Sequence, residues 1–284
     1  MGINSVAVIG AGTMGAGIAQ VCAQAGWHTN LYDAFPEGLE RGMSTIDAFW
    51  DKGITRGKTT AEQKAAWAAN LHAVSDMHEA VKDADLVIEA VPEIPDLKHK
   101  IFADLGEMTK EDCILGTNTS SLSIADIAAA SGRPEKVIGM HFFNPVPVMQ
   151  LLEIVRALQT SDVTYNAACE VADRLNKTRV TVSDSPGFVV NRILLPMINE
   201  AVLSLAEGLA TAEEIDVAMR LGANHPMGPL ALADLIGLDV CLYVMETLYE
   251  QFGDSKYRPA PLLRKMVDAR YLGRKTGRGF FTYR

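Results

Sequence analysis

Gly10-Ala11-Gly12-Thr13-Met14-Gly15 spaces its glycines as G-x-G-x-x-G directly after the apolar run Val6-Ala7-Val8-Ile9. That spacing suits a turn that cradles a pyrophosphate. Gly10 permits the tight bend, Gly12 lets backbone approach the phosphates, and Gly15 lets the following helix pack against the strand. The helix N-terminus then offers free N–H groups and a positive dipole end to the anion. Asp33 closes the next strand candidate, Thr29-Asn30-Leu31-Tyr32, where an acid accepts a hydrogen bond from a ribose hydroxyl. Ala34 and Phe35 follow it, so no arginine stands beside Asp33 to neutralise an additional 2′-phosphate. The pattern therefore implies NAD rather than NADP.

A bound nicotinamide accepts hydride, and a secondary alcohol that gives one up must also lose a proton, so the site needs a general base. Histidine titrates nearest neutrality. The chain has six: His28 and His72 at strand edges, His78 and His99 in charged helical stretches, His225 in a Pro/Gly loop, and His141. Only His141 closes an apolar run, Val137-Ile138-Gly139-Met140, of the kind that ends at the ligand-binding edge of an open α/β sheet. Glu153 interrupts Leu151-Leu152-Glu153-Ile154-Val155. A carboxylate embedded there costs several kcal/mol unless paired, and the imidazole is the partner that would make chemical use of it. A solvated glutamate on an edge strand is the plain alternative.

The elements that must carry these groups read as an alternation. Strands are expected at 6–9, 29–32, 71–74, 86–90, 113–116, 137–140, 151–155 and 179–182. Helices are expected at 14–25, 36–51, 61–70, 96–108, 124–131 and 163–176. Alternation of this kind predicts right-handed crossovers and a mostly parallel sheet of Rossmann type. At Ser183-Asp184-Ser185-Pro186-Gly187 the pattern changes, and only helical stretches follow, at 188–207, 212–221, 230–252 and 261–269. The expected division is a nucleotide-binding domain over 1–184 and an all-α domain over 185–284. The second holds more apolar residues than a small bundle can hide, which points to a homodimer formed through it.

A formal net charge of −9 argues against nucleic acid as a partner and against an anionic membrane surface. No apolar run approaches the length of a membrane span, and no signal region opens the chain, so a cytoplasmic location is expected. The four cysteines, Cys22, Cys113, Cys169 and Cys241, are scattered, which reads as reduced core thiols rather than a disulfide framework or a metal site.

Beyond Gly10–Gly15, further motifs run in order along the chain. They are Asn118-Thr119-Ser120-Ser121, Gly139-Met140-His141-Phe142-Phe143-Asn144-Pro145 and Ser185-Pro186-Gly187-Phe188-Val189-Val190-Asn191-Arg192. Ala223-Asn224-His225-Pro226-Met227-Gly228-Pro229 and Gly273-Arg274-Lys275-Thr276-Gly277-Arg278-Gly279-Phe280 complete the set. With them the chain resembles the L-3-hydroxyacyl-CoA dehydrogenase family, nearest its short bacterial 3-hydroxybutyryl-CoA members, over essentially its whole length. The resemblance implies a His141–Glu153 dyad, Ser120 on the substrate oxygen, and Asn191 helping to position substrate or His141. It also implies Glu93, Lys98, Ser120, Asn144 and Lys275 around the nicotinamide half of NAD, where a surface charge or turn residue is the plain alternative for Glu93, Lys98, Asn144 and Lys275. Helix capping is the ordinary use of a serine such as Ser120, and Ser121 or Ser123 could serve instead. For Asn191 the rival is a buried amide tying the turn between domains.

Lys52, Arg56 and Lys58 form a small basic cluster where the phosphates of an acyl-CoA substrate could dock, although such a cluster is also ordinary solvated surface. Relatives carry lysine where Arg56 stands. Two other functions remain to weigh: a dehydrogenase of a free sugar acid, of gulonate type, and a non-catalytic NAD-binding protein. The basic cluster and the 224–229 loop favour the acyl-CoA ester over the first. The joint presence of Ser120, His141, Glu153 and Asn191 disfavours the second.

Overall fold

The computed structural model describes residues 2–283 and divides between Ser185 and Pro186 into two compact units. In the first, strands and helices alternate as β1 (Ser5–Ile9), α1 (Thr13–Gln24), β2 (His28–Tyr32), α2 (Pro36–Thr55), α3 (Ala61–Ala68) and β3 (Leu71–Val74). There follow α4 (Met77–Val81), β4 (Leu86–Glu89), α5 (Pro95–Met108), β5 (Ile114–Thr117), α6 (Ile124–Ala130) and β6 (Val137–Phe142). The unit closes with β7 (Leu151–Arg156), α7 (Asp162–Arg174) and β8 (Thr178–Ser183). One eight-stranded sheet results, ordered β3-β2-β1-β4-β5-β6-β7-β8. Every pairing is parallel except β6 with β7.

The physical reason for that order lies in burial. β1, β4, β5 and β6 are apolar on both faces and so need helices above and below, which right-handed crossovers supply. Val8, Ile18, Leu31, Ile88, Ile138 and Ile154 belong to the resulting core. β8 is largely exposed, as an edge strand can be. The chain runs outward in opposite directions from β1 and β4, which creates the crevice where such sheets bind dinucleotides. α4 lacked a sequence signal because it is a single short turn of helix, capped by the Asp76 carboxylate accepting from Glu79 N–H at 2.9 Å.

The second unit holds α8 (Val190–Ala206), α9 (Ala212–Gly222), α10 (Pro229–Ile236), α11 (Leu238–Phe252) and α12 (Pro261–Asp268), with no β-strand among its described residues. Leu195, Ile198, Leu230, Val244, Leu248 and Leu263 form its core. The single helix expected over 230–252 is two helices. Gly237, at φ +105°, adopts a conformation that ends one helix and redirects the next, and only glycine enters it without strain. Asp234, 1% exposed, latches the C-terminal segment by accepting from the N–H groups of Phe280 and Phe281 and the hydroxyl of Tyr283, each at 2.9 Å.

Candidate active site

The glycine turn is built as its spacing requires. Gly10 sits at φ +99°, and a Cβ there would lie 2.8 Å from the Ala90 carbonyl oxygen. At Gly15 a Cβ would lie 1.7 Å from the Gly10 oxygen, so no side chain fits. Gly12 faces open space, with nothing within 4 Å of an added Cβ. It also precedes α1 without a side-chain cap, leaving the first N–H groups to an anion. Ala11 is buried, Thr13 is exposed at the mouth, and Met14 packs back onto the core. Asp33 accepts from Ala11 N–H at 2.7 Å through one oxygen and from Phe35 N–H at 2.9 Å through the other. It thus braces the glycine turn while each oxygen keeps a lone pair for a ribose hydroxyl.

A cavity of about 390 Å³ opens here, lined in part by Gly12, Thr13, Asp33, Phe35 and Arg41. An open glycine, uncapped amides and a rim carboxylate fit the adenosine diphosphate half of a dinucleotide. Arg41 modifies the sequence-based picture of Asp33. It does not follow Asp33 in the chain, but on α2 it lines the same cavity, together with Gly38, Gly42 and Thr45.

Across the sheet, the ends of β4 and β5 are organised by a chain of polar contacts. Glu93 accepts from Ser120 N–H at 2.8 Å, from Ser121 N–H at 3.2 Å and from the Ser120 hydroxyl at 3.3 Å. The Thr119 hydroxyl also donates to it, at 2.5 Å. Burial works to raise the Glu93 carboxyl, but the Lys98 ammonium and these donors outweigh it and hold the group below its ordinary value. Lys98 is only 1% exposed and donates to Glu89 at 2.6 Å, with Glu93 at 3.4 Å. Ser123 caps α6, with the Asp184 carboxylate on Ala125 N–H at 2.8 Å. Ser120 is therefore not the helix cap.

His141 and Glu153 face each other in the antiparallel β6–β7 pair. Nδ1 lies 2.7 Å from the Glu153 carboxylate, and both side chains are buried. A carboxylate on Nδ1 orients an imidazole and fixes which tautomer it holds. The Asn118 amide oxygen accepts from Phe142 N–H at 2.9 Å, tying the end of β5 to the strand that carries the histidine. Asn144 is exposed on the following loop. Lys177 clips that loop by donating to the carbonyls of Val146 and Met149, both at 2.6 Å, and burial lowers its pKa.

Of the remaining sequence-derived residues, Asn191 is half-buried at the start of α8. Lys275 donates to both oxygens of Asp239 at 2.6 Å, within the helical unit. Lys52 lies in the last turn of α2, Arg56 at its C-cap and Lys58 just beyond, all exposed. The nearby acids Asp47 and Asp51 are engaged by Lys64, at 2.6 and 2.7 Å. No carboxylate pairs with the three cations among the described residues. Glu89, Thr117, Arg41 and Lys177 had escaped the sequence reading, and Asn118 entered it only as part of a motif. Only Glu89 carried a usable signal, an acid inside an apolar run, the same signal that marked Glu153.

No cluster of three or more metal-ligating side chains occurs among the described residues, and no helix there is long and apolar enough to cross a membrane. Comparison with known proteins gives the family. The chain is 52% identical over 278 residues to a 3-hydroxybutyryl-CoA dehydrogenase of Clostridioides difficile, covering 98% of this chain and 99% of the relative. It is 50% identical over 283 residues to a probable 3-hydroxybutyryl-CoA dehydrogenase of Bacillus subtilis, covering 100% of this chain and 98% of the relative. Among solved structures, the (S)-3-hydroxybutyryl-CoA dehydrogenase of Ralstonia eutropha superposes with a TM-score of 0.96 at 51% identity, each chain fully covered. Residues 5–185 match the family model for the NAD binding domain of 3-hydroxyacyl-CoA dehydrogenase and residues 187–283 the one for its C-terminal domain, and the chain belongs to that family.

Proposed function

We propose that this protein is an NAD-dependent dehydrogenase that interconverts (S)-3-hydroxybutyryl-CoA and its 3-keto ester, with His141 as the base. The observation that carries the role of His141 is the buried Nδ1–Glu153 contact of 2.7 Å at the ligand-binding edge of the sheet. NAD, when bound, supplies the hydride acceptor. His141 Nε2 takes the proton of the 3-hydroxyl in oxidation and returns it in reduction. Glu153 holds the imidazole in the tautomer that can do so and stabilises the imidazolium that forms. Ser120, held through Glu93, offers a hydroxyl to the same substrate oxygen. Asn144 holds the nicotinamide half of the cofactor. Glu93 and Lys98 shape the pocket for that half.

Lys52 and Arg56, with Lys58 beside them, receive the CoA phosphates; the acids near them are already paired with Lys64, which leaves their charge available. We also read the chain as a cytoplasmic homodimer. Four free, buried cysteines suit a reducing compartment. In the helical unit Ile193, Leu209 and Leu221 are 66%, 77% and 81% exposed, apolar surface that a second copy would cover.

The test is turnover of acetoacetyl-CoA with NADH, against free gulonate and free 3-hydroxybutyrate with NAD. Activity is expected on the CoA ester and at most traces on the free acids. Preference for a free acid overturns the reading, and a series of 3-ketoacyl-CoA esters of increasing length defines the acyl specificity. Light scattering of the purified protein checks the dimer.

A further inference from the structure

The sheet order assigns the two halves of the cofactor before any ligand is considered. Asp33 directly follows β2 on one side of the glycine turn, so the nicotinamide half extends the other way, past the ends of β4 and β5. What lies beneath that half is Glu89, wholly buried as the last residue of β4. One of its oxygens accepts from Lys98 at 2.6 Å and from Val91 N–H at 2.7 Å, and the other from the Thr117 hydroxyl at 2.7 Å. Thr117 is its register partner on β5. A carboxyl that receives three donors is satisfied as the carboxylate. Glu93 likewise accepts from the Thr119 hydroxyl and from the N–H groups of Ser120 and Ser121, with the Lys98 ammonium at 3.4 Å.

The cluster thus holds two carboxylates and one ammonium, a net charge of −1, with Glu89 and Lys98 out of water and Glu93 22% exposed. Resting on the NAD reading above, we propose that Glu89 is a positioning residue that acts through Lys98 and Glu93, and that the residual negative charge of the Glu89–Lys98–Glu93 cluster favours the oxidised cofactor over the reduced one. The oxidised nicotinamide ring is cationic and the reduced ring is neutral. A fixed negative charge in a poorly solvated site discriminates between them, whereas a purely steric support binds both alike. A net charge of zero would remove that discrimination. The geometry also explains why Lys98, nearly inaccessible, is where it is: without it the buried Glu89 carboxylate would stand beside Glu93 uncompensated.

Glu89→Gln keeps the shape and leaves Lys98 paired with Glu93, so the cluster becomes neutral. The measurement is the dissociation constant of NAD and of NADH, each titrated against wild type and variant by calorimetry, with thermal melts checking the fold. The ratio Kd(NAD)/Kd(NADH) is expected to rise about tenfold in Glu89→Gln. It is expected to stay near the wild-type value in Glu89→Asp, which retains the charge but shortens the reach. Both affinities falling together with an unchanged ratio would reduce Glu89 to a structural support and overturn the proposal. If Glu89→Gln does not fold, Lys98→Gln tests the charge from the other side: the ratio is expected to fall, and an unchanged ratio overturns the proposal equally. Failure of the wild-type protein to bind either form would instead remove the cofactor reading on which this rests.

Discussion

Glu153 stands directly opposite His141 across the one antiparallel pairing of the sheet, its carboxylate 2.7 Å from Nδ1. Because opposed residues in a sheet point to the same face, the turn between β6 and β7 brings together two groups twelve positions apart. His141→Ala is expected to lower turnover roughly a hundredfold or more while leaving NAD affinity nearly unchanged, the range general-base catalysis contributes. Glu153→Gln is expected to lower turnover as well, since an amide does not stabilise the imidazolium. Steady-state kinetics with acetoacetyl-CoA checks both, and near-normal turnover in His141→Ala would remove the assigned base.

Lys52→Ala is expected to raise KM for a CoA ester roughly two- to fivefold, the scale of one exposed ion pair, with little change in kcat. A contact remote from the reacting carbon binds ground and transition states alike. A truncated thioester without the nucleotide is the control and is expected to be indifferent. Equal losses on both substrates would place Lys52 in the fold or the catalytic geometry.

Cofactor choice turns on Asp33 and Arg41, which line one cavity with opposite charge. The carboxylate repels a 2′-phosphate and would lose its hydrogen bond to the ribose, favouring NADH over NADPH. Arg41 offsets part of that repulsion, so the preference is expected near the lower end of a ten- to hundredfold range, roughly tenfold. Asp33→Ala is expected to erode it and Arg41→Ala to widen it. Comparable catalytic efficiencies with NADH and NADPH in the unmodified enzyme would overturn the argument.

His28 and His72 stack across β2 and β3 with ring centroids 4.3 Å apart. Burial first, and then the charge of His28, lowers the His72 pKa below its ordinary 6.5. In the unfolded chain His72 binds its proton at higher pH than in the fold. Its contribution to stability is therefore complete above 6.5 and is lost as pH falls through the folded-state value. The melting temperature is expected to drop between about pH 7.5 and about pH 5.5, and His72→Gln to make that slope shallower. An identical slope in the variant would assign the acid sensitivity elsewhere.

Local chemistry wrote much of this protein into its sequence. A run of glycines at this spacing, with an apolar strand before it, a helix after it and an acid at the end of the next strand, points to a dinucleotide turn. Double-sided burial of β1, β4 and β6 left a parallel sheet as the natural way to cover both faces. A histidine and a glutamate at the end and middle of apolar strands announced themselves because such groups are costly there unless paired. What adjacency along the chain does not encode was decided by the tertiary structure. Arg41 reaches the Asp33 cavity only because α2 packs beside the glycine turn, close enough that a Cβ on Gly42 would lie 2.7 Å from the Ala11 oxygen. Gly237 breaks a continuous helical pattern through a backbone conformation that composition does not reveal. The resemblance placed Lys98 near the nicotinamide, but its pairing with Glu89 was not legible: α5 delivers its ammonium to the buried end of β4, where it compensates that carboxylate.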